Sequence, residues 1–117
     1  TDPLVAGQLA GAVRKDMDNA FKNLQAAVAF IKDQPNVDSQ RIASIGWCFG
    51  GGWSFQMAKN DLGVSASVIY YGRFIPADDL DKMRAEIIGH FAENDPVVNM
   101  DTEFRVNFYG FKSQYLC

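Results

Sequence analysis

Residues 44–53, SIGWCFGGGW, set a cysteine among glycines: Gly46 stands two residues before Cys48, and Gly50, Gly51 and Gly52 follow it. A thiolate is a strong nucleophile. Acyl transfer to sulfur also needs a base to take the proton, a group that orients the base, and N–H donors for the developing oxyanion. Two other residues bear on such chemistry, Asp95 and His90, the latter the only histidine in the 117-residue chain. Small residues two positions either side of a nucleophile suit a sharp strand-to-helix turn, whose central residue is held in a strained backbone conformation that larger neighbours would not permit. On this reading Cys48 projects above the sheet and the Phe49 amide, at the helix N-terminus, faces its sulfur as an oxyanion donor. Gly51 would let that helix sit close to the sheet, and a helix N-terminus favours the thiolate. The plainer alternative is a structural cysteine buried in a glycine-rich turn.

Such a turn requires a strand before it and a helix after it, and the pattern supplies both. RIASIGW (41–47) reads as a short strand and GGWSFQMAKN (51–60) as a helix packed through Trp53, Phe55 and Met57. Upstream, Met17, Phe21, Leu24, Val28 and Ile31 recur at three- and four-residue steps, which predicts a helix over about 14–34 with one apolar face. Pro35 ends it, because the residue before a proline is pushed out of the α region. The opening twelve residues, with Pro3, Gly7 and Gly11, read as a loosely ordered lead-in. Downstream, VSASVIYYG (64–72) and AEIIGHFA (85–92) read as strands, with DDLDKM (78–83) between them as a short helix or turn. Phe104, Val106 and Phe108 alternate with polar residues, so 102–110 is a candidate fourth strand. Alternating helices and strands predict an α/β fold, a short mostly parallel sheet covered by helices in three αβα layers, within a single domain over 1–117.

Bulk properties narrow the function. With a net charge of −3 and 11 basic residues scattered along the chain, no phosphate footprint for nucleic acid is offered. No apolar run approaches a membrane span and no secretory leader is recognisable, so a cytoplasmic setting is expected. Cys48 and Cys117 do not make a disulfide framework, which fits a reducing compartment. One histidine and two distant cysteines supply no ligand cluster, so no metal is expected. Gly50–Gly52 are not followed by a P-loop lysine and lack the dinucleotide-binding spacing, so no cofactor is expected either.

RIASIGWCFGG resembles the nucleophile elbow of the dienelactone hydrolase family, α/β-hydrolases whose elbow carries cysteine in place of serine. VIYYG (68–72) resembles the family's next strand, and GHFAENDPVV (89–98) the strand and loop that carry the triad acid. The resemblance runs from about Met17 to Val98 and implies Cys48 as nucleophile, Asp95 as the carboxylate that orients an imidazole, and a small ester or lactone as ligand. Apart from the resemblance, Asp95 could equally be an Asp that shapes the turn before Pro96.

The family order is nucleophile, acid, histidine, and His90 comes before Asp95 by five residues, about 16 Å along a strand. His90 is therefore expected back along its strand, distant from the Cys48 sulfur and held by a structural hydrogen bond. The family's histidine follows an aromatic–glycine strand end, whereas here FRVNFYG leads into FKSQYLC. The resemblance thus implies the second half of the hydrolase fold with an altered end, lacking the upstream strands that donate the second oxyanion amide. Efficient lactone hydrolysis is not expected from this chain alone.

Three readings remain: a weak or inactive ester or lactone hydrolase, a non-catalytic assembly domain that keeps the hydrolase core, and a redox-sensitive thiol protein. The elbow strand should present an unpaired edge, which predicts a homodimer with Trp47, Phe49 or the lead-in apolar residues near the contact. The alternative cover for that edge is the lead-in (1–13) or the tail (104–117) of the same chain.

Overall fold

A computed structural model describes residues 2–72 and 83–92, together with the strand backbone at 111–116. Within them lie α1 (Pro3–Lys15), α2 (Met17–Lys32), β1 (Ala43–Trp47), α3 (Phe49–Lys59), β2 (Ala66–Tyr70), β3 (Glu86–Ala92) and β4 (Phe111–Leu116). The four strands form one parallel sheet in the order β1-β2-β3-β4. The chain is α/β, a short parallel sheet with its helices. The fourth strand lies one segment later than the alternation at 102–110 suggested, and 102–110 and 78–82 fall outside the described residues.

The lead-in is a helix, contrary to the reading of 1–12 as loosely ordered. Asp2 caps it, its carboxylate accepting from the Leu4 amide at 2.9 Å, and Pro3 takes the first helical position, where its missing N–H costs nothing. Gly7 and Gly11 weaken a helix by about 1 kcal/mol each relative to alanine, which the cap and the basic last turn (Arg14, Lys15) offset in part. Asp16 ends α1 and starts α2, accepting from the Asn19 amide at 3.3 Å. The apolar stripe of α2 turns inward along Met17, Phe21, Leu24 and Val28, and only Val28 is fully buried.

Burial alternates along β2 and β3, so one sheet face is the core. That face carries Ile69, Ile87 and Phe91, closed by Phe55 and Ala58 of α3 and by Val28 of α2. Register pairs Gly46 with Ile69 and Ile69 with Gly89, which leaves room on either side of Ile69 for the helix above. The opposite face is open: Ile45, Trp47 and Ile88 are 56%, 52% and 41% exposed. Of the three layers expected, the sheet and one helical layer lie among the described residues.

Three serines fix α3 on this core. Ser54 donates to the Val68 carbonyl at 3.2 Å, Ser44 and Ser54 oxygens lie 2.8 Å apart, and Ser44 and Ser67 oxygens 2.7 Å apart. Each hydroxyl has one proton, so the direction follows: Ser67 donates to Ser44, Ser44 to Ser54, and Ser54 to the backbone. Ser54 and Ser67 are buried, so every link offsets a desolvation cost. Phe55, 1% exposed, and Phe30, 70% exposed, make a matched test of where the core lies. Phe55→Ala should cost about 3–5 kcal/mol in urea unfolding, and Phe30→Ala within about 0.5 kcal/mol of nothing.

Candidate active site at the β1–α3 turn

Cys48 joins the last residue of β1 to the first of α3 with φ 53 and ψ −115. A side-chain-bearing residue held there costs on the order of 1–3 kcal/mol, and it persists only where its surroundings enforce it. Three contacts enforce it here. The Cys48 amide donates to the Tyr70 carbonyl at 3.0 Å, extending the β1–β2 ladder one step past the strand end. The Cys48 carbonyl accepts from the Gly52 amide at 3.2 Å, opening the helix. A Cβ on Gly46 would run into the Gly50 carbonyl, so the strand can pass beneath the helix only as glycine.

The glycine pattern divides differently from the sequence expectation. Gly50 has open space where a Cβ would stand, so the two-sided size limit holds on the Gly46 side alone. Gly51 is the second critical position: a Cβ there would lie 2.9 Å from both the Gly72 Cα and the Tyr70 carbonyl oxygen. Gly72 meets the Gly51 backbone in return, so the chain leaving β2 packs glycine to glycine under the first turn of α3. Between them Tyr71 takes φ 39, its amide donating to the His90 carbonyl at 2.8 Å. Two strained residues, Cys48 and Tyr71, thus stand side by side at the carboxyl ends of neighbouring strands.

The Cys48 thiol is free and exposed, which removes the buried structural cysteine as a reading of this turn. Phe49 opens α3, and its ring is held by the Arg14 guanidinium at 4.9 Å and by the Trp53 ring at 6.0 Å. Phe21 of α2 meets Trp53 edge-on at 6.3 Å. Both preceding helices therefore brace the start of α3, the helix that Cys48 opens.

His90 differs from expectation in two respects. It is level with Trp47 and Tyr70, the last residues of β1 and β2, rather than set back along its strand. Its Nδ1 is buried with no hydrogen-bond partner among the described residues, and stacking on Tyr70 at 4.5 Å holds the ring instead. The strand order still separates it from the thiol, with β2 between β1 and β3, which puts their axes about 9.5 Å apart. Asp95 lies outside the described residues, three positions beyond the last residue of β3. Among the described residues no cluster of three His, Cys, Asp or Glu could hold a metal ion, and no helix is long and apolar enough to cross a membrane.

A parallel sheet whose first strand runs through a strained cysteine into a helix N-terminus is the architecture the sequence motifs implied, and comparison with known proteins agrees. A sequence profile of the dienelactone hydrolase family matches residues 5–112. The chain belongs to the dienelactone hydrolase family. It is 34% identical over 87 residues to a protein of Saccharolobus solfataricus named "Putative carboxymethylenebutenolidase", covering 74% of this chain and 32% of that relative. A Methylorubrum extorquens protein of the same name is 30% identical over 94 residues, covering 69% of this chain and 32% of its own length. The chain thus spans about a third of the length of these relatives.

What the sequence reading missed in this dienelactone hydrolase elbow is its support: the serine relay, Tyr71 and the Gly51–Gly72 contact. Ser44 and Ser67, polar residues at inward strand positions, were the signal for the first. Strain at Cys48 makes a signed prediction. Cys48→Gly should raise stability by about 1–3 kcal/mol in urea unfolding, Cys48→Ser should leave it within about 0.5 kcal/mol, and Gly46→Ala should lower it by at least about 3 kcal/mol.

Proposed function

We propose that this chain carries the nucleophile-elbow part of an ester- or lactone-hydrolysing enzyme, with Cys48 as the attacking thiol. The observation that carries this reading is the strained, exposed Cys48 at the N-terminus of α3. In the proposed mechanism the sulfur attacks the acyl carbonyl, the carbonyl oxygen becomes an oxyanion, and the Phe49 amide donates to it. Collapse expels the alkoxide and leaves a thioester on Cys48, and water then releases the acid. Asp95 is assigned to orient an imidazole, as in the family resemblance. The single histidine of the chain, His90, stands two strands from Cys48, which supports a nucleophile without an imidazole base among the described residues. The names of the two relatives, with butenolides as the implied substrate class, support a small unsaturated lactone as ligand.

The reading makes hydrolysis slow and dependent on one residue. Against p-nitrophenyl acetate, turnover should lie well below the roughly 10 per second of an ordinary enzyme, and Cys48→Ala should abolish it. Turnover at ordinary enzyme rates, or a Cys48→Ala chain as active as the parent, would contradict the assignment.

Assembly is a second reading with its own support. β1 pairs on one side only among the described strands, and beside that edge lies the open face bearing Ile45, Trp47 and Ile88. Leu4, Val5, Leu9 and Val13 of α1 are exposed as well. A two-fold dimer joining the β1 edges would satisfy both at once. Sedimentation at micromolar concentration should then give a dimer, and a compact monomer would refute it. The exposed thiol also supports oxidation to a sulfenic acid in a cytoplasmic setting; a mass increase at Cys48 after mild peroxide tests that reading.

A further inference from the structure

We propose that His90 is a positioning residue for Cys48, acting through a stack of three rings that runs from the carboxyl ends of β1 and β2 to the register-matched position of β3. Trp47, Tyr70 and His90 are register partners across the three strands. The Trp47 and Tyr70 rings lie 5.3 Å apart at 8°, and the Tyr70 and His90 rings 4.5 Å apart at 14°. All three belong to the open face, where Trp47 is half exposed. Tyr70 and His90 are partly buried, and their stacking joins β2 to β3 as the Trp47–Tyr70 stacking joins β1 to β2.

The same residues carry the backbone that sets the elbow. Trp47 immediately precedes Cys48, the Tyr70 carbonyl accepts the Cys48 amide, and the His90 carbonyl accepts the Tyr71 amide. Moving His90 therefore moves Tyr70 twice, once through its ring and once through the Tyr71 turn, and Tyr70 holds Cys48 directly. The unpartnered Nδ1 points the same way. A buried ring nitrogen without a hydrogen bond costs stability, and an aliphatic side chain would fill the space without that cost. What imidazole supplies here, and an aliphatic group lacks, is a flat face for Tyr70.

This inference rests on the reading of Cys48 as nucleophile, so the test reads both. Alkylation by iodoacetamide at pH 7 is followed on the full chain by mass mapping of Cys48 and Cys117 separately. Wild-type Cys48 should react faster than Cys117. His90→Leu should slow Cys48 by at least about fivefold, since small misplacements of a reacting group cost this much or more, while its urea midpoint does not fall. His90→Phe, which keeps the flat face and removes the orphan nitrogen, should hold the rate within about twofold of wild type. If the leucine chain does not fold, Tyr70→Leu breaks the stack at its centre and is judged by the same criterion. A leucine variant reacting at the wild-type rate, or a phenylalanine variant slowed as far as leucine, overturns the positioning role. Wild-type Cys48 reacting no faster than Cys117 overturns the underlying reading of Cys48 and this inference with it.

Discussion

The described structure depends on one backbone reversal, the turn at Cys48. A cysteine at φ 53 gains nothing locally from that conformation, and the strain is held by contacts on three sides. From below, Gly46 lets the strand pass under the Gly50 carbonyl. From the side, the Tyr70 carbonyl takes the Cys48 amide. From above, α3 is pinned to the sheet by the serine relay and braced by Phe21 and Arg14.

The two sheet faces divide this work. The core face supplies cohesion: Phe55, Ile69, Ile87 and Phe91 are nearly inaccessible, and burying each side chain contributes about 1.5–3 kcal/mol. The open face supplies alignment through Trp47, Tyr70 and His90, whose stacking links the ends of β1 and β2 to β3 where the chain must turn. The buried serine hydroxyls, Ser54 and Ser67, tie one element to another. Ser54 is the clearest case, a buried hydroxyl that links α3 to two strands.

Much of this was legible in sequence because it follows from short-range rules. The glycines around Cys48 marked the elbow, the three- and four-residue steps from Met17 marked α2, and the β-branched runs marked β1 to β3. The lead-in was misjudged because Gly7 and Gly11 outweighed the Asp2–Pro3 start signal, which is a cap and a first helical residue. The close approach expected of Gly51 is found, whereas the size limit expected at Gly50 is not, because the helix approach angle decides which glycine meets the sheet. His90 was set too far from the strand ends because distance to Asp95 along the chain says nothing about register with Tyr70. Tyr71 and Gly72 could not be read at all, since their conformation answers to α3, which precedes them by some twenty residues and meets them only in the fold.

The central proposal is that the strained turn makes Cys48 an acceptor of acyl groups, with no histidine beside it among the described residues to release them. Its most direct measurement is peptide mapping during exposure to p-nitrophenyl acetate, quenched in acid so that a thioester survives. The account predicts an acetyl group accumulating on the peptide that carries Cys48, removed by hydroxylamine and absent from the Cys117 peptide. Acetylation confined to lysines, or spread equally over both cysteines, would contradict it.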